Sequence, residues 1–307
     1  MYTNIIFIFK IILEGIIEGV TEFLPVSSTG HMIILGSIIG FKEGAKPASL
    51  YGAEYIHMFE IIIQLGAILA IVVLYWDKIF SALKPSNLFP SMKEHEKTGI
   101  AVVGEFFTKG YRTMPGFKFW TNIVVACIPA IVIGLPFQKK IDKLLFFPTP
   151  VAAALILGAI WIIFAENKYR KKAKIKSVDD ITIKQAIIIG CFQCLALWPG
   201  MSRSASTIIG AWIIGVSTVA GAEFSFFLAI PMMLGASLLF LIKNSVMLSN
   251  IQILGLGVGF VVAFIVALIV VDKFISFLKK KPMRIFAVYR LIIGVIVLVL
   301  GIAKVIS

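Results

Sequence analysis

Apolar runs dominate the chain, and six of them are long enough, or nearly so, to cross a bilayer: about 57–77, 119–138, 150–166, 222–243, 249–271 and 286–306. A helical span needs roughly 20 apolar residues, with about 17 as the lower end. Two further apolar regions, 4–41 and 181–216, are each cut in the middle by a polar motif that contains proline. The cuts leave arms of roughly 10 to 18 residues, a length that predicts re-entrant helix pairs returning to the side they came from. The pattern predicts an all-α polytopic membrane protein: one transmembrane domain over 1–307, with six full spans and two re-entrant pairs.

Composition agrees. Hydrophobic residues make up 59% of the chain and charged residues 15%, with a mean hydropathy of +0.99. Soluble domains carry about 25% charged residues, so much of this surface is expected to face lipid. The net charge of +13 does not point to nucleic acid, because the cations cluster in loops between apolar runs. Loops 78–118, 167–181 and 272–285 hold seven, six and five Lys/Arg, whereas 42–56, 139–149 and 243–250 hold two, three and one. That bias makes the first set cytoplasmic, 78–118 being the largest cytoplasmic loop. Counting through the spans then puts both termini outside, with region 4–41 entering from outside and region 181–216 from the cytoplasm.

The N-terminal run is broken by Lys10 and Glu14 and lacks a small-residue cleavage site, so it does not read as a cleavable signal. Cys127, Cys191 and Cys194 lie in apolar stretches and read as buried structural thiols.

The two broken regions resemble one another. Gly15-Ile-Ile-Glu18 precedes Pro25 and a Ser/Thr cluster; Gly190-Cys-Phe-Gln193 precedes Pro199 and another. Each is followed by a similar span, one containing Gly66-Ala67 and the other Gly235-Ala236. Two such copies entering from opposite sides predict an inverted repeat whose breaks meet near the midplane. Its first core is 1–77 with the pair 4–41, and its second is 181–243 with the pair 181–216.

Chemistry concentrates at the breaks. Glu14, Glu18 and Glu22 recur at helical spacing on one face. Pro25 discourages helix at Leu24, and Ser27, Ser28 and Thr29 are then natural caps for the next arm. Carboxylates in an apolar segment must be paired, metal-bound or protonated; for Glu14 the alternative is an interfacial helix with a solvated acidic face. In the second break, Ser202-Arg203-Ser204-Ala205-Ser206-Thr207 surrounds a helix start, and Arg203 is the only basic residue between Lys184 and Lys243. A guanidinium fork and a helix N-terminus both suit phosphate. Carboxylates can hold a hard divalent cation, Mg²⁺ or Ca²⁺, and a serine or a water can attack phosphorus. The ensemble points to phosphoryl chemistry on a lipid whose tail stays in the bilayer. Among the histidines, His31 follows the first break, His57 opens a span as an interfacial residue, and His95 lies in the charged loop.

Glu18-Gly-Val-Thr-Glu22-Phe-Leu-Pro-Val-Ser-Ser-Thr-Gly-His31 and Pro199-Gly-Met-Ser-Arg203-Ser-Ala-Ser-Thr207 resemble the two signatures of the bacterial undecaprenyl-diphosphatase family, the bacitracin resistance proteins. The resemblance implies a metal-dependent phosphatase of the cytoplasmic membrane that removes one phosphate from undecaprenyl diphosphate and recycles the carrier lipid for cell-wall synthesis. It implies an inverted-repeat fold with re-entrant helices, a site open to the extracytoplasmic side, and a homodimer in many members. By position, Glu18 and Glu22 match the acidic pair assigned to metal binding or acid/base work. Ser28 matches a nucleophile or metal-site hydroxyl, and His31 a base that would activate it. Ser202, Arg203, Ser204 and Thr207 match the phosphate-holding loop, with Ser27 and Thr29 on the facing cap. Ala205 stands where the family often has glycine. A second class of membrane phosphatase needs a histidine after its Ser-Arg pair, and none follows Arg203. The rival reading is a transporter or flippase of the carrier lipid, since inverted repeats and broken helices are transporter architecture.

Overall fold

The computed structural model describes residues 2–41, 50–89, 100–243 and 247–303. They form thirteen α-helices: α1 (Tyr2–Thr21), α2 (Ser28–Ile39), α3 (Ala53–Leu74), α4 (Trp76–Ala82), α5 (Pro85–Leu88), α6 (Ile100–Thr113), α7 (Pro115–Leu145), α8 (Pro148–Tyr169), α9 (Ile183–Gln193), α10 (Arg203–Ile213), α11 (Thr218–Lys243), α12 (Asn250–Lys280) and α13 (Arg284–Ile302). Among the described residues the β-structure is one isolated bridge, Ile175 to Val216. Six helices are long and apolar enough to cross a membrane: α3, α7, α8, α11, α12 and α13. They fall on the six runs expected from the sequence. His95 lies outside the described residues.

The two broken regions fold as helix pairs, with breaks at 22–27 and 198–202. The arms α2, α9 and α10 have 12, 11 and 11 residues. The arm α1 has 20, longer than expected, because helix continues through its glutamates to Thr21 before Pro25 forces the chain out. Each second arm starts on a serine cap. Ser27 Oγ accepts from the Gly30 N–H at 3.3 Å, and Ser202 Oγ from the Ala205 N–H at 3.3 Å. Both caps hold positive φ, 73° and 71°, and no other non-glycine among the described residues does so. A left-handed serine costs about 1–3 kcal/mol and persists only where surrounding contacts over-determine it.

Small residues set the close packing. Gly15 and Gly19 of α1 lie against the α12 backbone at Gly259 and Ala263; a methyl on Gly19 would sit 2.7 Å from the Ala263 carbonyl oxygen. Membrane helices approach through such small residues because no hydrophobic gain drives them together. The α1 helix packs on α12, α9 on α7, α8 on α13, and α3 on both α11 and α12. The largest core cluster centres on Trp212, Phe224, Phe226 and Phe227. Outer faces stay apolar, with Ile265 and Ile269 of α12 and Ile292, Val295 and Val299 of α13 exposed. Cys127 is buried as expected. Cys191 is exposed, however, because it shares the outer face of α9 with Ile187 and Ile188.

The three lysine- and arginine-rich loops gather at one end. Lys78 pairs with Asp179, Arg170 donates to the Lys281 carbonyl at 3.0 Å, and Arg284 donates to Asn167 Oδ1 at 2.9 Å. The second helix pair also begins and ends there, since the Lys174 N–H donates to Gly215 O at 2.8 Å and the Ser217 N–H to Ile175 O at 2.8 Å. At the other end, Tyr55 donates to the Gln252 carbonyl at 3.4 Å, and Lys10 of α1 to Gly40, just past α2, at 3.2 Å. Glu166 anchors the start of α13: its carboxylate accepts from the Met283 and Arg284 N–H groups at 2.7 and 2.9 Å. Glu166→Ala removes this acceptor from a buried N–H and is expected to cost about 1–2 kcal/mol. Thermal unfolding in detergent should show that loss with turnover unchanged.

Candidate active site

Helix α1 presents Glu14, Glu18 and Glu22 in a row, the last just beyond its end, and all three are buried. Glu14 is only 1% exposed, so its acidic face is not solvated and the interfacial alternative does not hold. Among the described residues the carboxyl oxygens of Glu14 and Glu18 have no hydrogen-bond partner, whereas both oxygens of Glu22 are engaged. Arg203 Nη2 donates to Glu22 Oε1 at 3.1 Å, and Ser28 Oγ donates to Glu22 Oε2 at 2.8 Å. Ser28 is the first residue of α2 and Arg203 the first of α10. Two helix N-termini therefore converge on one carboxylate. Helix N-termini favour negative charge through their free N–H groups and macrodipole.

The guanidinium is held from behind. Arg203 Nη1 donates to Ser225 O at 2.6 Å and to Ser225 Oγ at 3.0 Å, and Thr207 Oγ1 donates to Ser225 Oγ at 2.8 Å. Ser204 Oγ donates to Leu24 O at 2.9 Å, tying the second break to the first, and stands 3.0 Å from Ser202 Oγ. Ser206 turns back to Ser202 O at 2.9 Å. Thr29 is half-buried, and no hydrogen bond among the described residues joins it to this cluster.

His31 is placed differently from the expected base. Its Nδ1 lies 2.7 Å from Ser27 O and its Nε2 2.7 Å from the Tyr289 hydroxyl. A carbonyl only accepts, so Nδ1 carries a proton, and in the neutral ring Nε2 accepts from the tyrosine hydroxyl. The ring braces the Ser27 main chain instead of reaching Ser28, whose proton points at Glu22. His57 is exposed at the start of α3, 3.9 Å from Glu60.

The model of the bacitracin resistance protein BacA family matches residues 11–296, which include both breaks and all of these side chains. The chain belongs to the BacA family. Similar proteins include the undecaprenyl-diphosphatase 2 of Clostridium acetobutylicum, 91% identical over the whole of both chains. The undecaprenyl-diphosphatase of Clostridium novyi is 59% identical over 99% of each chain, and that of Clostridium tetani 50% over 98%.

Three side chains at the site were not singled out from sequence: Ser225, Tyr289 and Arg290. Arg290 of α13 is fully buried and donates to Pro25 O, Met201 O, Ala154 O and Gly200 O at 3.2, 3.1, 3.3 and 2.9 Å. Its signal was present, since Arg290 is the only cation between Arg284 and Lys304 in an apolar run, the kind of isolation that marked Arg203. Ser225 carries no such mark.

Proposed function

We propose that this chain hydrolyses undecaprenyl diphosphate to undecaprenyl phosphate and inorganic phosphate, recycling the carrier lipid for cell-wall synthesis. The convergence of Ser28 and Arg203 on Glu22 carries the reading, and it agrees with the activity for which the relatives matched over their full length are named. In this scheme the terminal phosphate takes the Arg203 fork and the N–H groups at the starts of α2 and α10. Ser27, Thr29, Ser202, Ser204 and Thr207 line or brace that cradle. Ser28 Oγ attacks the terminal phosphorus as its proton passes to Glu22. The anhydride P–O bond breaks, and the lipid monophosphate leaves with the electron pair. A water then cleaves the phosphoserine, giving inorganic phosphate and restoring the serine. His31 acts by holding Ser27, and hence the cap, in its left-handed conformation.

Glu18 fits a cation ligand, because its buried carboxyl oxygens have no hydrogen-bond partner among the described residues. Among the described residues no three His, Cys, Asp or Glu side chains stand together as a metal cluster. Glu18, with Glu22 sharing an oxygen, would leave the rest of the shell to phosphate oxygens and water, as Mg²⁺ or Ca²⁺ sites with one or two carboxylates do. Such an ion would neutralise the diphosphate's charge.

The proposed setting is the bacterial cytoplasmic membrane, with both termini and the site mouth on the extracytoplasmic side. The lysine- and arginine-rich end is then cytoplasmic. The short arms α2, α9 and α10, and the adjoining ends of the second helix pair, support re-entry. The exchanged packing of α1 on α12 and α9 on α7 supports an inverted repeat with cores 1–77 and 181–243.

The test is phosphate release from undecaprenyl diphosphate by purified protein in detergent, where transport is impossible. Release should require a divalent cation, stop with EDTA, and fall by about 100-fold or more in Glu22→Gln. No release from folded wild-type protein under any metal would overturn the assignment in favour of transport.

A further inference from the structure

We propose that Arg290 is a positioning residue that locks the two helix breaks into one catalytic geometry. The inference rests on the phosphatase reading for its kinetic arm only. A guanidinium has five N–H donors. Here the four on Nη1 and Nη2 are matched by four carbonyls: Nη1 donates to Pro25 and Met201, and Nη2 to Ala154 and Gly200. With its fork consumed by main chain, Arg290 cannot also grip phosphate, unlike Arg203.

The bonded carbonyls identify what it controls. Pro25 lies two residues before Ser27, and Gly200 and Met201 immediately precede Ser202. These serines are the two left-handed caps that start α2 and α10. Ala154 fixes the guanidinium to α8, a span that belongs to neither break. One side chain therefore references both strained caps to a common rigid support, and through them Ser28 and Arg203. The preceding residue, Tyr289, extends the same device to His31. Among the described residues no carboxylate is hydrogen-bonded to Arg290, so on the phosphatase reading it also leaves a positive charge behind the cradle for an anionic substrate.

The space for the guanidinium is made at Gly158 of α8. A methyl there would overlap Arg290 Nη2. Gly158→Ala therefore displaces the fork while leaving the arginine in place, and alanine favours the helix that hosts it.

The experiment compares wild type, Arg290→Met, Arg290→Lys and Gly158→Ala as full-length protein in detergent. It reads amide hydrogen exchange by mass spectrometry together with phosphate release. Faster exchange is expected in peptides covering 22–31 and 198–207 in all three variants, with α3, α7 and α12 unchanged. The accompanying loss should be about 100-fold in kcat, the scale of a misplacement near 1 Å, with KM within about three-fold. Lysine should not restore the loss, because one ammonium cannot span four carbonyls on three segments. Unchanged exchange at the two breaks overturns the proposal, and so does an equal rise along all helices, which would mark a general fold role. If Arg290→Met does not fold, Gly158→Ala and Arg290→Lys decide by the same readings. Failure of wild type to release phosphate would sink the phosphatase reading and leave the exchange result to stand alone.

Discussion

Alanine at position 203 is expected to lower kcat by about 1,000-fold or more, the scale set by arginines that stabilise a transferring phosphoryl group. Two consequences separate in this variant. The first is chemical: the terminal phosphate loses a planar fork already aligned by Ser225. Arg203→Lys should recover little, since a single ammonium cannot contact Glu22 and both Ser225 oxygens with the same geometry. The second is structural. Removing one member of a buried ion pair leaves the other uncompensated, at a cost of about 3–5 kcal/mol. The double variant Arg203→Met with Glu22→Gln removes both charges and should recover much of that stability without any activity. Thermal unfolding and phosphate release on the four proteins test the split. Wild-type turnover in a folded Arg203→Ala protein would remove the arginine from the phosphate site.

Ser28→Ala is expected to lose on the order of 1,000-fold or more in kcat, as nucleophile deletions do. Covalent chemistry adds a second signature. With label on the terminal phosphate, acid quenching during turnover should leave a phosphoserine on wild-type protein and none on Ser28→Ala. If water were the nucleophile, no label would be trapped and the alanine variant would keep most of its rate. The hydrogen bond from Ser28 Oγ to Glu22 Oε2 favours the first outcome, because the serine proton already points at its acceptor.

The six spans and the positions of both breaks could be read from sequence because they depend on local signals, apolar length and proline. The face shared by Glu14, Glu18 and Glu22 was equally legible from helical spacing, and the burial cost of lone charges showed that carboxylates in an apolar segment must be paired, metal-bound or protonated. The length of α1 was not, because its glutamates look like interruptions until the bundle that buries them is known. The partner of His31 escaped for a different reason. Its neighbour in space, Tyr289, lies 258 positions away in the chain, and nothing in either segment encodes that meeting. The family resemblance implied a His31–Ser28 couple, but the α2 register turns the ring towards α13 instead. Ser225 is an ordinary serine in an apolar helix, significant only because α11 brings it behind Arg203.

The ion pair between Glu22 and Arg203 joins positions 181 apart in sequence, and the Pro25 bond to Arg290 joins positions 265 apart. The chain is made and inserted from its N-terminus, so the carboxylate and serine reach the membrane long before their cationic counterparts. A nascent chain holds half a cradle until α10 arrives, and its two breaks await α13 for the bonds of Arg290. On the proposed role of Arg290, a ribosome that stalls before α13 leaves both breaks in the bilayer without their common support.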